Sequence, residues 1–249
     1  MPDDLFPITA AVCCETVAAA LAGLYCDAGP DLSALPQELA GLFRLCPEAF
    51  DAVIHARASG LPPEAAAERF RRRVMAAADA AGRAANSGAA ADAGRERAAM
   101  RRAAAVAAGD ADDPDAREVY RAAGKVRHEI ARLRGFLRFA PGGDGVYVAR
   151  CAPDHFVLPA LGGYFRKRFG GAPWGIIDEK RGIRLSYVPG GVPRLLPAGA
   201  GAAKPAAGDG WEELWRGYLG AVSNGDRQNR SLQAKFMPRR YREYLTEGE

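Results

Sequence analysis

The chain has 249 residues, of which 49% are hydrophobic and 26% charged, a composition ordinary for a folded soluble protein. This length is enough for one large domain or two small ones with a buried core. The five cysteines are odd in number and include no CxxC pair, so they argue against a disulfide framework or a zinc ribbon and indicate a reduced, cytoplasmic protein.

Charge is unevenly distributed along the chain. Residues 1–116 carry a net charge of −6 and residues 117–249 a net charge of +10, which together give the overall +4. A basic C-terminal half suggests an acidic partner such as nucleic acid. The alternative is that the arginines belong to an Arg- and Ala-rich composition and are simply solvated.

The N-terminal region, residues 1–75, is predicted to be helical. Its first apolar run, from Ile8 to Cys26, lacks a basic leader and is interrupted by Glu15, so we expect a buried helix rather than a signal peptide or a membrane span. The predicted first helix covers residues 14–25. Three further helices are predicted to begin near prolines, because proline is favoured in a first helical turn: Pro36, Pro47 and Pro62-Pro63.

An alanine-rich segment, residues 76–115, follows. Between residues 76 and 111 there are 19 alanines, which favour helix but supply little apolar area for packing. We expect one helical piece near residues 95–108 with mobile turns on either side. A wholly disordered linker is the alternative.

The third region, residues 116–249, is predicted to be an α+β domain with C-terminal helices, unless the whole chain forms one continuous domain. It begins with a helix over residues 116–134, for which Asp115 is the expected cap. One face of this helix is apolar. Another carries a basic ridge, whose members recur at i, i+4, i+7 and i+11: Arg121, Lys125, His128 and Arg132.

Alternating runs then predict a hairpin–helix–hairpin order. The first hairpin is expected from residues 136–139 and 146–151, and the second from residues 174–178 and 183–188, with a helix over 158–169 between them. This order predicts a four-stranded antiparallel sheet with helices on one face. An Ala/Gly/Pro linker over 198–210, an aromatic helix from Trp211 and a last helix through Phe236 complete the chain.

The segment CAPDH places Cys151, Asp154 and His155 within five positions. A metal site would need about four ligands from more than one segment, and no second cluster has the right spacing. A Cys151–His155 nucleophile pair lacks an identifiable orienting group. The structural alternative is that Asp154 caps the following helix, which leaves His155 as the residue without a structural explanation.

Two further clusters suit nucleic acid. The basic ridge extends into Arg134 and Arg138, and rows of cations bind phosphates at many spacings. The C-terminal RRYREYL places Arg239 and Arg240 beside Tyr241, a pattern that suits stacking on exposed bases. The alternatives are a solvated helix face and a terminal helix that docks its tyrosines on the core. No Walker loop, GxGxxG or paired-carboxylate motif occurs, and neither a cofactor nor a metal is predicted.

Four segments together resemble a bacterial family associated with DNA metabolism and DNA repair, whose core is a domain of unknown function. They are EIARLRGFLRF (129–139), YVARCAPDHFVLPALGGYFRKRF (147–169), WGIIDEKRG (174–182) and NRSLQAKFMPRRYREYL (229–245). The resemblance covers the chain from about residue 117 onward, and the N-terminal third matches only loosely. The family commonly has a histidine where this chain has Ala131.

The resemblance implies a cytoplasmic protein of DNA repair, of a kind typically encoded beside a radical SAM protein and sometimes fused to a uracil-DNA-glycosylase-like domain. Its matched Asp-x-Lys-Arg segment adds Arg181 to the candidate nucleic-acid-binding residues and Asp178 to the candidate catalytic residues. Three hypotheses follow: a DNA-binding accessory, an adaptor that docks the radical SAM protein, and an enzyme acting on damaged nucleotides through Asp154, His155 and Asp178. No membrane partner is expected.

Overall fold

The computed structural model describes residues 8–59, 63–86, 92–142, 145–198, 211–224 and 229–245. The chain divides into two compact units. The first comprises Met1–Ile130 with His155–Ala160, and the second comprises Ala131–Asp154 with Leu161–Glu249. Helices prevail, a helical N-terminal region precedes a sheet, and the fold is α+β as predicted.

The first unit contains the N-terminal helices. Prolines mark two of their starts, since Pro36 immediately precedes one helix and Pro47 is the first residue of the next. The alanine-rich segment is more helical than predicted, because the fourth helix continues through residues 76–86, where alanine's high helix propensity outweighs its small packing area. The bounds are α1 Ile8–Leu24, α2 Gln37–Leu45, α3 Pro47–Ala58, α4 Pro63–Asn86, α5 Ala93–Ala108 and α6 Pro114–Phe136.

The cap of α6 differs from the prediction. Asp113, not Asp115, accepts the backbone N–H of Ala116, at 2.9 Å, and so satisfies a donor of the first turn. Asp115 lies inside the helix, where its carboxylate receives two hydrogen bonds from the Arg69 guanidinium at 2.6 and 2.9 Å. The prediction chose the wrong aspartate because several acids occur together in this turn.

The second unit contains a five-stranded mixed sheet, so the prediction of four antiparallel strands is wrong. The strands lie in sequence order: β1 Ala140–Pro141, β2 Tyr147–Cys151, β3 Trp174–Asp178, β4 Ile183–Tyr187 and β5 Arg194–Pro197. Strands β2 and β3 are parallel, and the other pairs are antiparallel. Helix α7, Leu158–Phe169, connects the two parallel strands, as a crossover between parallel neighbours requires.

The two predicted hairpins fare differently. The second is confirmed, since β3 and β4 pair directly through a turn closed by Gly182 at a positive φ of 61°. In the first, residues 136–139 do not form a strand. Helix α6 continues to Phe136, and only Ala140 and Pro141 pair with β2.

Aromatic side chains fill the core of the second unit. Trp174 is fully buried, stacks on Tyr187 at a centroid distance of 5.6 Å and meets the edge of Phe165 at 6.1 Å. The C-terminal helices are α8 Trp211–Val222, α9 Arg230–Phe236 and α10 Arg239–Arg242. The predicted 198–210 linker lies outside the described residues except for Ala198. Among the helices of the described residues, none is both long and apolar enough to cross a membrane.

Candidate functional site

The basic ridge forms on α6 as the spacing predicts. At 100° per residue its four side chains fall within a sector of roughly 60°. Arg121, Lys125 and His128 are exposed and belong to the first unit, and Arg132, one turn further along the helix, is half-buried. Within the described part of the chain, none of the four has a hydrogen-bond or ion-pair partner. The ridge therefore presents a row of cations whose donors are free.

Another face of α6 is occupied by an internal contact. Arg127 pairs with Asp51, whose carboxylate also lies 3.3 Å from Nδ1 of the buried His55. The same Nδ1 donates to the Asp51 carbonyl at 2.8 Å, and the Tyr25 hydroxyl donates to Nε2 at 2.8 Å. Burial lowers the pKa of His55, although the Asp51 carboxylate opposes that shift. This array is a neutral, internally satisfied link within the first unit.

His155 is fixed at three points by other residues of the first unit. Its backbone N–H donates to the Glu129 carboxylate at 2.8 Å, and its ring Nδ1 lies 3.0 Å from the Ser59 carbonyl oxygen. The next residue, Phe156, donates its N–H to the Ala58 carbonyl at 2.9 Å. Glu129 is buried at 2% exposure on α6, so a desolvated carboxylate holds the histidine backbone.

Asp154 is not the cap of α7, contrary to expectation. The helix begins at Leu158, four residues later. The exposed Asp154 carboxylate instead lies 3.7 Å from Nζ of Lys180, at the limit of an ion pair. Its carbonyl accepts a hydrogen bond from Nη2 of Arg181 at 2.8 Å, so the residue belongs to a network within the second unit.

Arg181 and Asp178 form the centre of that network. Asp178 is fully buried and receives both the Arg181 backbone N–H, at 3.1 Å, and Nη1, at 2.8 Å. Nη1 also donates to the Pro153 carbonyl at 3.0 Å. The guanidinium thus joins the β3–β4 turn to the end of the Pro153-Asp154 segment. Both the Asp178 carboxylate and the Arg181 guanidinium are engaged in these internal bonds.

The same turn is held on its other side by Glu179. Its carboxylate pairs with Arg150 and accepts a hydrogen bond from the Tyr244 hydroxyl at 2.7 Å. Burial and this bond to a carboxylate raise the pKa of Tyr244, because both oppose formation of the phenolate. The closing tyrosine of the chain is therefore a structural residue of the second unit.

A cationic cluster in the second unit was missed at the level of sequence. Helix α7 carries three exposed cations in its last turn and no acidic residue: Arg166, Lys167 and Arg168. The Arg134 guanidinium lies over the Tyr164 ring at 5.2 Å from its centroid. Arg138 donates to the Gly135 carbonyl at 2.8 Å. The run of three cations in the sequence was the signal that could have revealed this cluster.

The C-terminal candidates are only partly described. Tyr241 is 3% exposed and packs on Phe136 with centroids 5.3 Å apart, so its ring contributes to the core of the second unit. The side chains of Arg239 and Arg240 lie outside the described residues. Cys151 is also buried, with Sγ 3.5 Å from the Ile177 carbonyl oxygen. The described residues contain no group of three or more His, Cys, Asp or Glu side chains that could hold a metal.

A family model described as a domain of unknown function, DUF4130, matches residues 97–247, more than half of the chain. The chain belongs to this family. Nothing matches among the curated proteins or among the solved structures.

The DUF4130 match covers α6, the sheet and the C-terminal helices. It therefore includes the basic ridge, Glu129, His155, Asp178 and Arg181. The Ser59 carbonyl that meets His155, and Asp51, which pairs with Arg127, both precede the matched segment. A DUF4130 site built around His155 thus depends on a contact from outside the family match.

Proposed function

We propose that this DUF4130 protein binds nucleic acid through the basic ridge and acts as an accessory of DNA repair or DNA metabolism. The observation that carries the proposal is the row of partnerless cations on α6. Cations in a row neutralise successive phosphates, and they release counterions most effectively when no protein carboxylate already neutralises them. The resemblance to DNA repair proteins supports the biological setting.

The ridge differs from other arginine-rich surfaces of the first unit in this respect. Glu68 alone receives hydrogen bonds from Arg71 and Arg72 on α4, at 2.5 to 2.9 Å. Such paired cations have lost part of the charge that a phosphate would meet. Positive charge in the sequence therefore becomes available charge at the ridge and internal ion pairing on α4.

The test is the binding of fluorescent DNA over a series of salt concentrations. For a duplex, log K falls by about 0.9 per log salt for each phosphate neutralised. We expect the Arg121→Glu/Lys125→Glu variant to bind at least about tenfold more weakly and to lose roughly two units of salt slope. Absence of binding to the unmodified protein at low salt would exclude the proposal.

A matched control variant is available on α5. Arg97 and Arg101 are also exposed cations four residues apart on a helix, and Arg97→Glu/Arg101→Glu makes the same change in net charge. We expect this variant to retain most of the affinity. If it loses as much as the ridge variant, the binding reflects overall charge and the ridge is not the site.

A second candidate function, docking of a radical SAM repair protein, is favoured by a different observation. Helix α8 exposes large apolar side chains: Leu214, Trp215, Tyr218 and Val222 are 65%, 40%, 56% and 56% exposed. Aromatic anchors at helical spacing are typical of a helix that binds in a groove of a partner. Co-purification of the two proteins should survive nuclease treatment and be lost in Trp215→Ala/Tyr218→Ala. Co-purification abolished by nuclease would contradict direct docking.

A further inference from the structure

The ring of His155 has one committed nitrogen and one uncommitted nitrogen. Nδ1 faces the Ser59 carbonyl oxygen at 3.0 Å, and a carbonyl oxygen can only accept, so Nδ1 carries the proton. In the neutral imidazole, Nε2 is then an acceptor with a free lone pair. Within the described residues Nε2 has no partner, and the side chain is only half-buried.

The position of this nitrogen relative to the ridge follows from Glu129. Glu129 is one helical turn beyond Lys125, at i+4, and about 40° from it around α6. Its carboxylate accepts the His155 N–H at 2.8 Å, so the histidine borders the edge of the ridge within the first unit. The imidazole is therefore held beside the cations that would receive a phosphate backbone.

The hydrogen-bond chemistry of Nε2 restricts what it can contact there. Phosphate oxygens accept hydrogen bonds but donate none, so they do not complement a lone pair on Nε2. The donors of a DNA strand are the amino and imino N–H groups on the edges of its bases. In a duplex most of those edges are engaged in base pairs, whereas an unpaired base presents them.

We infer that His155 contacts an unpaired nucleobase, with Nε2 accepting an N–H from the base edge while the basic ridge binds the adjacent phosphates. This inference rests on the proposed function and adds its substrate class, DNA with unpaired bases. It also assigns the buried Glu129 and the Ser59 carbonyl as positioning groups, which fix the backbone and the tautomer of the histidine.

A two-by-two binding experiment tests the contact. The unmodified protein and His155→Phe are each titrated with a single-stranded oligonucleotide and with an abasic strand that has the same phosphates and no bases. Loss of one hydrogen bond should weaken binding of His155→Phe to the normal strand by roughly three- to tenfold and leave the abasic strand unchanged. The backbone bond to Glu129 survives the substitution, because it involves the main-chain N–H.

Three results would overturn the inference. Equal losses on both strands would mean a phosphate contact or a fold defect, and no loss on either would mean that the histidine does not touch the ligand. Failure of the unmodified protein to bind any strand would remove the proposed function together with the inference. By contrast, ridge-dependent binding that ignores His155 would remove the inference alone.

A measurement on the unmodified protein keeps the test independent of folding of the variant. The chain has three histidines, so ¹⁵N labelling of histidine gives few ring signals to follow. We expect one Nε2 resonance to move when the normal single strand is added and to stay in place with the abasic strand. The same shift with both strands, or with neither, would contradict a base contact. As a second variant, His155→Gln restores an acceptor and should recover part of the lost affinity.

Discussion

Arginine and lysine are used in opposite ways in two regions of this molecule. On α6, Arg121 and Lys125 are exposed and have no partner within the described residues. In the β3–β4 turn, Arg181 donates to a buried carboxylate and to two carbonyl oxygens. The sequence offers the same cationic residue types in both places. Whether a cation can meet an external anion is therefore decided by the acceptors that the fold places around it.

The Arg181 pair should give the largest effect of any cation in this comparison. In Arg181→Ala the fully buried Asp178 loses its counter-charge, and breaking a buried pair typically costs about 3–5 kcal/mol. We expect a corresponding fall in the unfolding free energy, measured by denaturant titration. Arg181→Lys should lose less, since it keeps the charge. A stable Arg181→Ala protein with weakened DNA binding would instead assign Arg181 to the ligand.

The buried His55 predicts the next largest effect, a dependence of stability on pH. Burial lowers its pKa below the ordinary value of 6.5, so the folded state binds fewer protons than the unfolded state. Its contribution is complete above 6.5 and is lost as the pH falls below that value, by up to about 1.4 kcal/mol per pH unit. In His55→Phe this part of the acid slope should disappear. Exposed His128→Gln is the matched control and should retain the slope.

Glu68 predicts a smaller effect at lower pH. Hydrogen bonds from Arg71, with a further contribution from Arg72, lower its pKa from 4.5 to about 2. The stabilisation is present above pH 4.5 and is lost as the pH falls towards 2. Because the pair is partly solvated, we expect Glu68→Gln to cost only about 1 kcal/mol at neutral pH. The difference should vanish near the lower limit in acid unfolding curves, and Glu213→Gln should show no such trend.

The smallest effect on stability is expected at the ridge itself. Its cations make no contact with the described residues, so Arg121→Glu/Lys125→Glu should change the unfolding free energy by no more than about 0.5 kcal/mol. Thermal melting at two salt concentrations measures this directly. A large loss would show that the ridge has a structural partner and would weaken the contrast with Arg181.

Local signals in the sequence predicted most of the helices. Prolines marked the starts of α2 and α3, and periodic apolar residues marked α6 and α7. The sheet was harder, because alternation identifies a strand but not its neighbours. The strand β2 pairs with β3, across a helix, in a parallel register that no local pattern encodes. The short β1 and β5 lack the alternation that would have marked them correctly.

The candidate site was predictable to the extent that it lies on one helix. The spacing of Arg121, Lys125, His128 and Arg132 placed them together, but their lack of partners required the fold. The contacts of His155 with Glu129 and Ser59 join residues 26 and 96 positions apart, beyond the reach of any local pattern. Likewise, only the three-dimensional structure shows Asp154 beside Lys180 and Arg181.

The segment His155–Ala160 belongs to the first unit although it follows strands of the second. A fragment cut at residue 97, where the family match begins, would keep Glu129 and His155 and lose the Ser59 carbonyl. It would also lose Arg69 and Asp51, which pair with residues of α6. The segment recognisable by family and the segment able to fold are thus different lengths of the same polypeptide, and functional work on this family member requires the longer one.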